Sequence, residues 1–152
     1  MSEQQTNVKN DFAQRFQTER EEWTEKIRVL SLRMKNIREI AEVQVDLFSS
    51  RQILLEYSAK LGQVMVKLNS KLRIDKSDRL KYYSEKHQVK YGSNEKTPLI
   101  EGDLTELKER IDTIECQMSF INDTIKTVDF CLYGIKDRIR LQEFMMGITS
   151  NK

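Results

Sequence analysis

Between Leu104 and Gly147, apolar residues recur at Leu104, Leu107, Ile111, Ile114, Met118, Ile121, Ile125, Val128, Leu132, Ile135 and Ile139, spaced alternately by three and four. That heptad register keeps one edge of a helix turned toward a neighbouring helix, because a hydrophobic repeat of 3.5 residues is the left-handed coiled-coil period. An unbroken helix over the stretch would be roughly 65 Å long, against a radius of gyration near 15 Å for a compact chain of this size. The seam therefore calls for partners, either other helices of the same chain or further copies of it.

A second seam runs through Phe12, Phe16, Trp23, Ile27, Leu30, Met34, Ile37 and Ala41 toward Phe48. The first helix is expected to start near Val8 to Asp11. Trp23 lies on this stripe and reads as a packing anchor. Glu19, Glu21, Glu22 and Glu25, interspersed with Arg20, Lys26 and Arg28, read as an ion-paired outer face. Ser49 and Ser50 either cap a new helix or mark a bend. The stripe resumes through Leu54, Tyr57, Leu61, Val64, Met65, Leu68 and Leu72, where the next positions on the same arc are Asp75 and Arg79. Apolar burial is thus expected to stop after Leu72, with the helix end facing water or a ligand.

From Glu85 to Thr97 the periodicity dissolves, with Gly92, Ser93 and Asn94 as turn formers. The last helix opens either at Thr97-Pro98 or at Asp103, whose Glu106 makes a capping-box-like pair; Gly102 favours Asp103. The organisation expected is an N-terminal heptad helix over 1–50, a basic helix and loop over 51–97, a C-terminal oligomerisation helix over 98–147 and a tail over 148–152. The fold class is all-α: long heptad-patterned helices in an elongated bundle or coiled coil, assembled as a homo-oligomer.

Charge is unevenly spread. Residues 1–50 hold 8 Lys/Arg and 9 Asp/Glu, residues 51–96 hold 11 and 5, and residues 97–152 hold 7 and 10. A basic middle between neutral and acidic flanks suits a polyanion ligand, or else a solvated face. Lys71, Arg73, Lys76, Arg79, Lys81, Lys86 and Lys90 share the stretch 71–91 with Tyr82, Tyr83 and Tyr91. Cations that neutralise phosphates and rings that stack on bases are the two ingredients of sequence-independent single-strand binding. The cations wrap around the helix, so several copies acting together would grip a strand better than one.

Catalytic chemistry finds no support. His87 is the one histidine, and Cys116 and Cys131 are too far apart along a helix to bridge each other or to form a His/Cys metal cluster, so they read as reduced core thiols. Gly92 to Thr97 lacks the Gly before Lys of a phosphate loop. No cofactor is expected. The polar start of the chain and the absence of an apolar run of about 20 residues point away from a membrane and toward the cytoplasm.

Arg79-Leu80-Lys81-Tyr82-Tyr83-Ser84 resembles the Arg-Leu-x-Tyr-Tyr-Ser stretch of the UvsY-like recombination mediators of T-even-type phages. The run Tyr133-x-Ile135-Lys136-Asp137-x-Ile139-x-Leu141-x-x-Phe144-x-x-Gly147 resembles their C-terminal pattern without gaps. The resemblance covers about residues 55–147. Cys131, Asp137 and Leu141 stand where the family usually has Arg, Asn and Trp. Ser77 stands where a basic residue is common, with Lys76 beside it.

The resemblance implies a ring-like helical homo-oligomer that binds single-stranded DNA without sequence preference and contacts a recombinase and a single-stranded DNA-binding protein. Such a mediator assists recombinase loading in place of that binding protein, in the host cell cytoplasm if phage-encoded. It implies Arg79 as the leading phosphate contact, beside Lys76 and Lys81, within a nucleic-acid segment of Lys71, Arg73, Lys76, Arg79, Lys81, Tyr82, Tyr83 and Lys86. Tyr82 and Tyr83 would either stack on bases or hold the helix. Oligomerisation would fall to Ile121, Ile125, Val128, Leu132, Ile135, Ile139 and Phe144. The rival expectation is a structural coiled coil, such as a scaffold or adaptor, whose lysines only solubilise it.

Overall fold

The structure, a computed structural model, describes residues 3–87 and 89–147. The tail expected over 148–152 lies outside the described residues. Four α-helices occur, with no strand among the described residues: α1 (Glu3–Arg33), α2 (Ile40–Lys81), α3 (Ser93–Asp103) and α4 (Thr105–Met145). The chain is all-α, and no described helix is long and apolar enough to cross a membrane.

The N-terminal seam does not continue as one helix toward Phe48. It breaks at Arg33, and a short 3-10 turn, Ile37–Glu39, leads into α2. Local side chains build this corner. Asn36 adopts an extended backbone, its side-chain oxygen accepts the Arg38 N–H at 3.2 Å, and its amide donates to Glu39 at 2.7 Å. Asn36 followed by Glu39 is a helix-start signature, which the apolar stripe running through Met34 and Ile37 concealed. Arg33 then spans the corner, donating to Glu39 at 2.7 Å, Asp46 at 3.2 Å and Glu42 at 3.3 Å. As a result Ile37 and Ala41 are exposed.

Ser49 and Ser50 neither cap nor end a helix. The helix α2 runs through them, and Ser50 lies wholly buried on the stripe Ile40, Val43, Leu47, Ser50, Leu54.

The chain divides into two compact units, residues 1–58 with 119–152, and residues 59–118. Within each unit, helices distant in sequence bury their stripes together. In the first unit α1 and α2 are antiparallel: Tyr57 of α2 bonds Glu19 near the middle of α1, while Asp46, early in α2, meets Arg33 at the end of α1. The helix α4 runs parallel to α1, since Ser31 lies 3.5 Å from Cys131 and the Arg138 guanidinium donates to the Lys35 carbonyl at 2.7 Å. It runs antiparallel to α2, where Arg51 meets Asp129 at 2.7 Å and Ser58 meets Asn122 at 3.3 Å.

Three helices thus enclose one core of Phe16, Ile27, Leu30, Ile40, Val43, Leu47, Leu54, Ile121, Val128 and Ile135. Each large aliphatic side chain buried there contributes about 1.5 to 3 kcal/mol.

The seam of α4 is corrected in detail. Ile121, Val128 and Ile135, expected to serve oligomerisation, are fully buried within the chain, while Ile125 and Leu132 are half-buried. Serving two neighbours widens the buried arc to one side, so Thr124 is buried and Cys131 half-buried. The Thr124 hydroxyl is satisfied by the Phe120 carbonyl at 2.8 Å. Cys116 lies off this arc and is exposed, so it is not a core thiol. Past the level of the α1–α2 corner, Leu141, Phe144 and Met145 at the end of α4, and Met146 just after it, are exposed, Phe144 at 72%.

The second unit takes the end of α2, α3 and the start of α4. Its buried residues are Leu61, Ile100, Leu104, Leu107, Ile111, Ile114 and Gln117. Full burial along α2 ends at Leu61, earlier than Leu72, and Leu68 and Leu72 are half-buried.

The last helix, α4, opens at Thr105, beside the Asp103 start that Gly102 favoured and past Thr97-Pro98. Ahead of it stands a separate helix, α3, which begins at Ser93, where the Glu95 carboxylate accepts the Gly92 N–H at 2.9 Å. The break between the two falls at Leu104, whose N–H bonds the Ile100 carbonyl and whose carbonyl accepts the Lys108 N–H.

Candidate nucleic-acid interface

The end of α2 carries Lys71, Arg73, Lys76, Arg79 and Lys81, all exposed. At 3.6 residues per turn they fall all around the helix, and the structure gives them unequal surroundings.

Lys76 and Arg79 face acidic side chains of α3. The Lys76 ammonium lies 3.7 Å from Glu101, and the Arg79 guanidinium 3.5 Å from Asp103. Glu101 is shared with Lys108, which also pairs with it. This end of α2 therefore faces a carboxylate pair of its own chain, where the sequence suggested water or a ligand. Arg73 donates to Ser70 at 3.4 Å. No ion pair within 4 Å is seen for Lys71, Lys81, Lys86 or Lys90 among the described residues.

Beyond Lys81 the backbone widens into a π-turn, Tyr82–Lys86, closed by the His87 N–H on the Tyr82 carbonyl at 2.9 Å. Wider turns of this kind reorient side chains at a helix end. Here the turn gathers four rings. His87 has its centroid 5.5 Å from Tyr82, 5.4 Å from Tyr83 and 5.1 Å from Tyr91, and Tyr82 meets Tyr83 edge-on at 5.2 Å. The His87 ring is also tied to the backbone, its Nδ1 lying 3.2 Å from the Val89 N–H.

The two tyrosines of the motif separate. Tyr83 is half-buried, and its hydroxyl donates to the Asp103 carboxylate at 2.9 Å, a bond that with burial behind it pushes the phenol above its ordinary value. Tyr83 holds α3 against the end of α2. Tyr82 is 41% exposed and has ring area free for another planar group.

Sequence reading missed Glu101 and Asp103 as partners of Lys76 and Arg79, which stand 25 and 24 residues before them in the chain. The signal available was their charge on a segment preceding the α4 seam. No protein-family model, curated protein or solved structure matches this chain.

Proposed function

We propose that the chain is a helical assembly protein that binds single-stranded nucleic acid without sequence preference. More particularly, the reading is of a recombination mediator of the UvsY-like kind. It would coat a single DNA strand and assist recombinase loading in place of a single-stranded DNA-binding protein.

The observation that carries this is a set of exposed cations, Lys71, Lys81, Lys86 and Lys90, with no ion pair within 4 Å among the described residues, beside the exposed ring of Tyr82. Each cation that meets a phosphate releases counterions, and each stacked base contributes roughly 1 to 3 kcal/mol. Four cations spread over the end of α2, the π-turn and the loop beyond it make a weak grip. Homo-oligomerisation, through coiled-coil pairing or a ring, would supply the multivalency required. The apolar end of α4, with Ile139, Leu141, Phe144 and Met145 exposed, suits such a contact. A groove of about 630 Å³ in the first unit, lined by Phe48, Leu132, Tyr133 and Ile139, lies along the same helix.

The second reading is a structural coiled coil indifferent to nucleic acid. The internal pairing of Lys76 and Arg79 and the anchoring of Tyr83 favour it. Binding of a labelled oligonucleotide over a salt series separates the two. The mediator reading expects affinity that falls steeply with salt and drops further in Lys81→Ala with Lys86→Ala. Absence of binding at low salt, or no effect of the paired substitution, refutes it.

A further inference from the structure

The acidic side chains of α3 lie against cations at the end of α2. Asp103 receives two donors on a single oxygen, Oδ2, with Arg79 Nε at 3.5 Å and the Tyr83 hydroxyl at 2.9 Å. A charged and a neutral donor converging on one anionic oxygen also describes how side chains hold a phosphate oxygen. Lys76 is held more loosely, at 3.7 Å from Glu101, which Lys108 shares. These pairs are open to solvent, with the Arg79 side chain 49% exposed and that of Asp103 31% exposed. Exposed ion pairs contribute little to stability, so they can be exchanged for another anion.

We propose that Asp103, assisted by Glu101, is an in-chain competitor for nucleic-acid phosphate that holds Arg79 and Lys76 until a strand displaces it. The inference rests on the single-strand reading above and adds a regulation of that same site. Tyr83 gives the device its mechanics. Its hydroxyl keeps Asp103 near the helix end while the guanidinium turns outward, so the carboxylate stays in place to recapture Arg79 when the strand leaves. A site so masked ignores sparse or isolated anions and opens to a polyanion whose neighbouring phosphates are already held by Lys71, Lys81 and Lys86. The carboxylates thereby set a threshold of phosphate density.

The test is titration of a fluorescent oligothymidylate with the full chain at several salt concentrations. Wild type, Asp103→Asn, Arg79→Ala and the double variant are compared. Asparagine keeps an acceptor for Tyr83, so α3 stays attached while the competing charge is gone.

Asp103→Asn is expected to bind about two- to fivefold more tightly at low salt, matching the worth of an exposed ion pair. Its salt dependence should steepen by about 0.7 in log–log slope, one additional phosphate contact on a single strand. Arg79→Ala should weaken binding more in the Asp103→Asn background than in wild type. Glu101→Gln should act in the same direction but less, because Glu101 also serves Lys108. Tyr83→Phe, which removes the tether but not the charge, should not reproduce the tightening.

If wild type binds and Asp103→Asn binds equally or more weakly, the competitor role is overturned and strand binding stands. If neither binds at low salt, the single-strand reading has failed and the competitor role falls with it.

Discussion

Arg51 on α2 and Asp129 on α4 meet at 2.7 Å, across helices that run in opposite directions. Seventy-eight residues separate them in the chain. With Ser58 on Asn122 at 3.3 Å, the pair fixes the register of the two helices at the edge of the three-helix core. The Asp129 carboxylate holds the Arg51 guanidinium above its already high ordinary value.

Reversing one charge of this pair therefore places like charges in contact. Arg51→Asp is expected to lower the urea midpoint followed by far-UV circular dichroism, and Arg51→Asp with Asp129→Arg to recover most of the loss. A double variant no more stable than the single one would show that the pair does not set register.

Two faces of α4 should respond oppositely to truncation. Val128 is fully buried while Phe130 is 75% exposed. Val128→Ala is expected to cost about 2 kcal/mol in urea unfolding, from lost burial plus the cavity left behind. Phe130→Ala should stay within about 0.5 kcal/mol. A large loss at Phe130 would mean that another molecule covers that ring in solution.

Ser50 supplies a change expected to stabilise. Its hydroxyl is buried and meets no hydrogen-bond partner among the described residues. An unsatisfied buried polar group costs about 1 to 3 kcal/mol. Ser50→Ala should raise stability by about 1 kcal/mol in the same unfolding assay. Destabilisation would point to a water molecule bound at that hydroxyl.

Acid should loosen the corner between α1 and α2. Arg33, and then Asn36, hold the Glu39 carboxyl below its ordinary value of 4.5. A lowered folded value means the pair stabilises fully above pH 4.5 and fades as pH falls through that lowered value. Wild type should lose stability over this range more than Glu39→Gln does, as read from urea midpoints at a series of pH values. Parallel curves for the two proteins would remove Glu39 from the account.

Assembly has its own test in the end of α4. Phe144→Asp with Met145→Asp places two charges where both side chains are exposed. Sedimentation should show a lower mass for this variant than for wild type, with unchanged helix content. Equal masses would leave the exposed end of α4 without a role in association.

Much of the fold was legible because the period of apolar residues is a local property of the chain. The spacing from Leu104 to Ile135 named the aliphatic residues buried along that stretch, with Ile121, Val128 and Ile135 among them, and left out the buried Gln117 and Thr124. The long helix through Leu54 and Leu61 was equally plain. The corner at Asn36 was missed because an apolar stripe continued across it, and stripes report which side is greasy without reporting where the backbone turns.

The candidate site divided in the same manner. The basic run with its tyrosines was visible as composition, since cations and rings announce themselves wherever they fold. Their availability was not. Whether Arg79 stands free or lies against Asp103 depends on an approach between segments twenty-four residues apart.

By its own pattern the sequence determined that this chain is helical, which edges of its helices are apolar and where its positive charge is concentrated. Tertiary structure alone decided that α4 packs parallel to α1 and antiparallel to α2, that Tyr83 is tied down while Tyr82 is open, and that α3 sets carboxylates against the cations of α2. The physical reason is range. Periodicity and charge are summed over neighbours in the chain, whereas partnership is chosen by whichever distant surface gives a stripe the most burial and a charge its nearest opposite.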